Sequence, residues 1–348
     1  MAALAMVTTR GFMSSVLLLS LAACGGSSTR PTPVSSPTPV PGATVVAVVF
    51  YDENGNGRAD PDEVIRVPDV EVTIGGRSAK SETATGRAVV TGVPTGAQMV
   101  TIKAETLPPY YAAEPAVPIQ VPTADVTPIM IGVTLPIAGN QANVYMAFGD
   151  SITRGDGSAT GGYPTRLQGR LAAFFGGAAV VNKGADATNS AEGVERIRRQ
   201  VIGQRPAYTL IMYGTNDWNA PQCQDNPACE TVGNLRTIIH TVKTFGSLPV
   251  IATIAPTDPT QNPPGRNRWV ADVNTLLRAM AASEGAVVAE VFEAFMKQPD
   301  LSKLFSDHIH PNDAGYSIIA DAFFEAIAHG RIGASSAAWP TLLAAPRL

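Results

Sequence analysis

Two patterns of apolar and polar positions divide the chain. Between residues 43 and 136 the apolar positions come in short runs: Val45 to Phe50, Val70-Glu71-Val72-Thr73-Ile74, Ala88-Val89-Val90, Met99-Val100-Thr101-Ile102 and Ile129 to Leu135. Gly and Pro turns separate them and no helical period occurs, so this stretch is expected to form a small β-sandwich. Between residues 140 and 332 the pattern changes. Buried-type strands at Val144–Phe148, Ala178–Val181, Tyr208–Tyr213, Pro249–Ile254 and Ala286–Glu290 alternate with amphipathic stretches near Tyr163–Phe175, Ser190–Val201, Thr231–Phe245, Arg266–Ser283 and Asp313–His329. Alternating strands and helices predict an α/β domain with a five-stranded parallel sheet covered on both faces. Its ligand crevice should lie at the carboxyl ends of the strands. Residues 333–348 form an uninformative tail.

The amino terminus has neither pattern. Arg10 precedes an apolar run, Gly11 to Ala23, that is short for a membrane span and fits the core of a signal peptide over residues 1–23. The run ends in Leu21-Ala22-Ala23-Cys24-Gly25, which resembles a bacterial lipobox. That resemblance implies cleavage before Cys24, lipidation of Cys24, and an exported, membrane-anchored protein. Gly25 in place of aspartate points to the outer membrane. The alternative is an ordinary signal peptide with an incidental cysteine. Residues 24–42 are Gly, Ser, Thr and Pro with little else, which cannot bury a core and reads as a tether.

Composition adds two constraints. A net charge of −4 over 348 residues gives no basic face for nucleic acid, and contact with a membrane is expected through the anchor only. Once Cys24 is set aside, only Cys223 and Cys229 remain, and in an oxidising compartment a disulfide closing that short loop is the simplest reading.

Candidate chemistry falls at the ends of the predicted strands. Ser151 follows the first one in Gly149-Asp150-Ser151-Ile152-Thr153. A serine there is a nucleophile if a base takes its proton, and otherwise a helix cap. Asp307-His308-Ile309-His310-Pro311 precedes the last helix. An aspartate three residues before a histidine can hold the imidazole Nδ1 while the other nitrogen serves the serine. His308 is a rival base, but it follows Asp307 directly, which makes that hydrogen bond harder. Acyl transfer also needs donors for the developing oxyanion. Asn182-Lys183-Gly184 and Gly214-Thr215-Asn216-Asp217 follow the second and third strands and offer the Gly184 N–H and the Asn216 amide; each would also serve as a plain turn.

In this order the four blocks resemble the SGNH (GDSL-like) hydrolase family over about residues 143–330. The resemblance implies a three-layer α/β/α fold and serine ester hydrolysis. Ser151, Asp307 and His310 would be catalytic, and the Ser151 and Gly184 N–H groups with the Asn216 amide would form the oxyanion hole. Two departures stand out: Ile152 replaces a leucine, and Ala185-Asp186-Ala187 lacks the second glycine often seen after the glycine block. No cofactor is needed for that chemistry. Export favours acetylated glycan or cell-wall esters as substrates. Lysophospholipid or thioester hydrolysis, and an inactive binding module, are the alternatives.

The first region carries its own signal. Asp52, Asn54, Asn56, Asp60 and Glu63 fall at positions 1, 3, 5, 9 and 12 of a loop with Gly57 at position 6, the pattern of an EF-hand calcium loop. Arg58 at position 7 would give its backbone carbonyl. Because a strand precedes the loop, the stretch looks less like an EF-hand than like the calcium-binding B-type repeats of bacterial surface proteins, which are prealbumin-like sandwiches. A structural Ca²⁺ is the expectation. Arg196, Arg198 and Arg199 read as a solvated helix face, Trp218 as a pocket or packing residue, and His240 and His329 as surface or core.

Overall fold

The computed structural model describes residues 42–123, 127–224 and 226–332. The signal-like segment, Cys24, the tether and the tail lie outside them. Among the described residues, eight strands precede the α/β region: β1 (Ala43–Tyr51), β2 (Glu71–Ile74), β3 (Arg77–Lys80), β4 (Arg87–Val93), β5 (Gly96–Ile102), β6 (Ala112–Ala113), β7 (Val117–Val121) and β8 (Ile129–Thr134). They form two four-stranded sheets, ordered β4-β1-β8-β6 and β3-β2-β5-β7. β1 and β8 run parallel and the other pairs antiparallel. Alternate residues, among them Val45, Ala47 and Val49 of β1 and Val72 and Ile74 of β2, meet in one apolar core between the sheets.

The second region follows with β9 (Gln141–Gly149), α1 (Ser151–Arg154), α2 (Gly162–Phe175), β10 (Ala179–Gly184), α3 (Ser190–Gln204), β11 (Pro206–Met212), α4 (Thr231–Thr244), β12 (Leu248–Ala252), α5 (Pro264–Glu284), β13 (Val287–Ala289), α6 (Val291–Met296) and α7 (Asp313–His329). The five strands are all parallel, in the order β10-β9-β11-β12-β13. One face packs on α2 and α7 through Leu167, Leu171, Phe323 and Ile327, the other on α3, α4 and α5 through Ile197, Ile238 and Val273. The fold is therefore a three-layer α/β/α sandwich. β10 and β11 flank β9 on opposite sides, so the chain reverses its direction of travel there. That reversal opens the crevice in which such sheets place their ligands.

The two regions meet in a shared apolar core. Tyr51, Ile65 and Tyr110 pack into the same cluster as Tyr145, Phe175 and Tyr208. Tyr110 Oη donates to the Pro249 carbonyl at 2.7 Å and accepts from the Val287 N–H at 3.1 Å. The Arg66 and Ala84 N–H groups donate to the carbonyls of Phe175 and Phe174 at 3.1 and 2.8 Å. Residues 42–332 accordingly form one compact unit.

Candidate active site

The bend after β9 is forced by close packing. A Cβ at Gly149 would lie 2.1 Å from Thr153 Oγ1 and 2.2 Å from the Met212 carbonyl oxygen, so only glycine fits. Asp150 then caps α1, its side chain accepting the Ile152 N–H at 2.9 Å. Ser151 opens that helix and is 3 % exposed. The histidine loop is closed by its own hydrogen bonds. The Ser306 N–H donates to the His310 carbonyl at 2.9 Å, and the Asn312 N–H to the Leu304 carbonyl at 2.9 Å. Asn312 caps α7 by accepting the Ala314 and Gly315 N–H groups.

These two loops bring the catalytic candidates together across 159 residues of sequence, with His310 Nε2 2.9 Å from Ser151 Oγ. His310 Nδ1 lies 2.7 Å from Asp307 Oδ2. The other carboxylate oxygen, Oδ1, accepts the Ile309 and His310 N–H groups at 2.8 and 2.7 Å. Partial burial would raise the Asp307 carboxyl, but these N–H donors and the imidazole outweigh it and hold the group down at about 2. A carboxylate thus orients an imidazole whose far nitrogen faces a serine hydroxyl. That geometry lets the imidazole accept the hydroxyl proton as oxygen attacks a carbonyl. His308 is half-exposed, 3.9 Å from Asp307 through Nδ1, and the contact to Ser151 is His310's.

Residues 147–318 match the family of GDSL-like lipases and acylhydrolases. The α/β region is a GDSL-like acylhydrolase. The activity is therefore that of a carboxylic ester hydrolase. Among solved structures, an acetylxylan esterase (Axe2) from Geobacillus stearothermophilus is similar at 25% identity, over 56% of this chain and 96% of that one, with a TM-score of 0.45. A lipase/acylhydrolase from Enterococcus faecalis is similar at 20% identity, over 53% and 94%, with a TM-score of 0.44. The hydrolase LAE5 from the metagenome of Lake Arreo, Spain, is similar at 25% identity, over 55% and 97%, with a TM-score of 0.45. No curated protein matches the chain.

The acylhydrolase site departs from the sequence expectation at Gly184. Its N–H donates to Asn182 Oδ1 at 2.9 Å, so that donor is already engaged. What requires glycine there is packing, since a Cβ would lie 2.1 Å from the Arg154 nitrogen of α1. Ala187, three residues on, sits in the left-handed region at φ 53°. Its N–H has no acceptor among the described residues. Asn216 Nδ2 donates to the Thr188 carbonyl at 3.0 Å with one of its two hydrogens, which leaves the other for a ligand.

Three further groups shape the acylhydrolase site. Asp150 is 1 % exposed; burial, reinforced by Asp217, pushes its carboxyl up to about 7 despite the Ile152 N–H and His310. Asp217 accepts the Ser190 N–H and hydroxyl at 3.0 and 2.5 Å and the Thr231 hydroxyl at 2.9 Å, fastening the Asn216 loop to α3 and α4. Arg196 is half-buried rather than part of a solvated face. It donates to the Lys183 carbonyl at 2.8 Å, the Gly149 carbonyl at 3.4 Å and the Tyr213 hydroxyl, gathering three strand ends. Arg198 and Arg199 are exposed as expected. Trp218 packs edge-on to Trp269. Cys223 and Cys229 form a disulfide, and the Trp269 indole N–H holds that loop through the Asn226 carbonyl at 3.2 Å. His240 and His329 are exposed and meet Glu284 and Glu325.

The loop over residues 52–63 is oxygen-rich and folds around Asp52. That carboxylate is 1 % exposed and accepts the Gly55, Asn56 and Gly57 N–H groups at 2.7, 3.2 and 2.6 Å. The Asn54 and Asn56 side chains both reach Asp60 Oδ2, at 2.8 and 2.9 Å, and Glu63 accepts the Glu53 and Asp60 N–H groups. Arg58 donates its N–H to Asn56 Oδ1, which leaves its carbonyl for a ligand as position 7 requires. Glu114, unforeseen in the sequence, approaches Asp52 and Glu63; burial and those two carboxylates raise its carboxyl. Asn54 and Asn56 thus turn their NH₂ groups to Asp60, and their side-chain oxygens accept the Asn56 and Arg58 N–H groups. The Asp52 and Glu63 carboxylates are meanwhile satisfied by the loop's own amides, and no group of three or more His, Cys, Asp or Glu side chains among the described residues is arranged around a metal.

Proposed function

We propose that this acylhydrolase is an extracytoplasmic serine esterase that removes short acyl groups, foremost acetyl, from carbohydrate or cell-wall material. The observation that carries the mechanism is the unbroken line from Ser151 Oγ through His310 to Asp307. Ser151 attacks the ester carbonyl while His310 Nε2 takes its proton. The imidazolium, held by Asp307, then protonates the departing alcohol, and water releases the acyl group by the reverse sequence. The Ser151 and Ala187 N–H groups with the free Asn216 hydrogen receive the oxyanion.

Ser151→Ala should abolish turnover of p-nitrophenyl acetate and labelling by a fluorophosphonate; retained turnover refutes the serine mechanism. An unlabelled, inactive wild type supports a binding module instead. Higher kcat/KM on octanoate than on acetate would favour the lipid-ester alternative. We also propose that the loop over 52–63 holds a structural Ca²⁺ through Asp52, Asn54, Asn56, the Arg58 carbonyl, Asp60 and Glu63. A chelator should then lower Tm and Ca²⁺ restore it, and an unchanged Tm refutes that site. Attachment through Cys24 is tested by the membrane fraction: Cys24→Ser should release the protein, and wild-type protein found free in the medium refutes the anchor.

A further inference from the structure

Arg266 lies in the first turn of α5, is 5 % exposed, and makes no salt bridge among the described residues. A guanidinium buried without a counter-ion is costly, so what it holds deserves an explanation. Its Nη2 donates to the Thr215 carbonyl at 3.1 Å, and its Nη1 to Asn262 Oδ1 at 3.0 Å. Asn262 Nδ2 in turn donates to the carbonyls of His308 and Asp258 at 2.6 and 3.0 Å. The Asp258 N–H reaches the same His308 carbonyl at 3.1 Å. Thr215 immediately precedes Asn216, and His308 lies two residues before His310. One strap of hydrogen bonds therefore joins the loop after β11 to the loop before α7.

We propose that Arg266 is a positioning residue which, through Thr215 on one side and Asn262 and His308 on the other, fixes the spacing between Asn216 and His310. This rests on the serine-esterase reading above. In that reaction negative charge grows on the oxyanion while positive charge grows on the imidazole, and both must face one tetrahedral centre. A misplacement of about 1 Å costs about a hundredfold in rate. Guanidinium suits the task because its planar fork donates in two fixed directions. A lysine ammonium keeps the charge but loses the fork. The strap touches neither substrate nor reacting atoms, so its signature is a loss in turnover without a loss in binding.

The test uses the full chain carrying Arg266→Lys, Arg266→Met, Asn262→Ala, or Arg266→Met with Asn262→Ala, assayed on p-nitrophenyl acetate beside Ser151→Ala. Each single variant is expected to lower kcat at least about tenfold with KM within about twofold. The double variant should be no slower than the slower single, because both changes cut one strap. Wild-type kcat in Arg266→Lys or Asn262→Ala, or losses that multiply in the double variant, would overturn the proposal. Should Arg266→Met fail to fold, Asn262→Ala, which keeps the guanidinium in place, decides the matter alone. An active Ser151→Ala instead sinks the esterase reading; a dead Ser151→Ala beside a wild-type Asn262→Ala sinks only the strap.

Discussion

Replacing Asp150 by asparagine isolates what it costs to bury a carboxylate beside Ser151. The unfolded carboxyl titrates at its ordinary 3.8, whereas burial and Asp217 push the folded one up to about 7. The folded state thus holds this proton more tightly than the unfolded chain does. Below about pH 4 both states are protonated and the contribution is fully present; it is lost as pH rises, until the folded group also ionises near pH 7. A gap of about three units is worth about 4 kcal/mol, at about 1.4 kcal/mol per unit. Asparagine keeps the cap, because its Oδ1 can accept the Ile152 N–H that Asp150 now holds at 2.9 Å. Asp150→Asn should therefore match the wild type near pH 4 and exceed its stability by about 4 kcal/mol near pH 8. Urea unfolding of both proteins across that range reads the difference directly, since every other titrating group is common to both. A difference that stays flat with pH would refute the idea that this carboxyl is held protonated by burial.

Three further outcomes follow from the contacts. Asp307→Asn removes the carboxylate 2.7 Å from His310 Nδ1; kcat on p-nitrophenyl acetate should fall about 10²–10⁴-fold with KM little changed, and a loss below tenfold would contradict the orienting role. Tyr110→Phe strips the Pro249 carbonyl and Val287 N–H of a buried partner and should cost about 1–3 kcal/mol in urea unfolding, with kcat unaltered; an unchanged midpoint would show the junction is not held there. Cys223→Ser with Cys229→Ser opens a loop of sequence separation 6 and should lower stability by about 2 kcal/mol, read as a lower Tm that a reductant also produces in the wild type.

The parts of the fold that the sequence displays are those written locally. The five strands of the α/β sheet and its five long helices each carry their period within a dozen or two residues. β3 did not show because Arg77-Ser78-Ala79-Lys80 has no apolar run, and β7 did not because Pro118 interrupts it, which an edge strand tolerates. α6 is only 6 residues long, too few to establish a helical period. The same logic governs the site. Ser151 and Asn216 lie in local motifs after strand ends, and Asp307 and His310 in one short motif before α7. The role of Arg266 depends on Thr215, 51 residues away, and that of Tyr110 on Pro249, 139 residues away. Arg196 looks like any helix-surface arginine until α3 is docked against the strand ends. The Gly184 N–H misleads for the opposite reason: its competitor, Asn182, is too close to register as a partner.

Strand direction separates what the two regions do. All five strands of the α/β sheet are parallel, so every carboxyl end lies on one edge of the sheet and every amino end on the other. Ser151 and Asn216 follow carboxyl ends, of β9 and β11. Tyr110, brought by the β-sandwich region, bonds to Pro249 and Val287, which open β12 and β13. It therefore presses on the edge remote from the ester. Through this contact the β-region can stiffen the sheet, but it offers no wall to the substrate. Changes at the Tyr110 junction should consequently move unfolding midpoints and leave turnover alone. Changes at Arg266 or Arg196, which tie the carboxyl-end loops, should instead lower turnover, and that contrast follows from topology before any substrate is known.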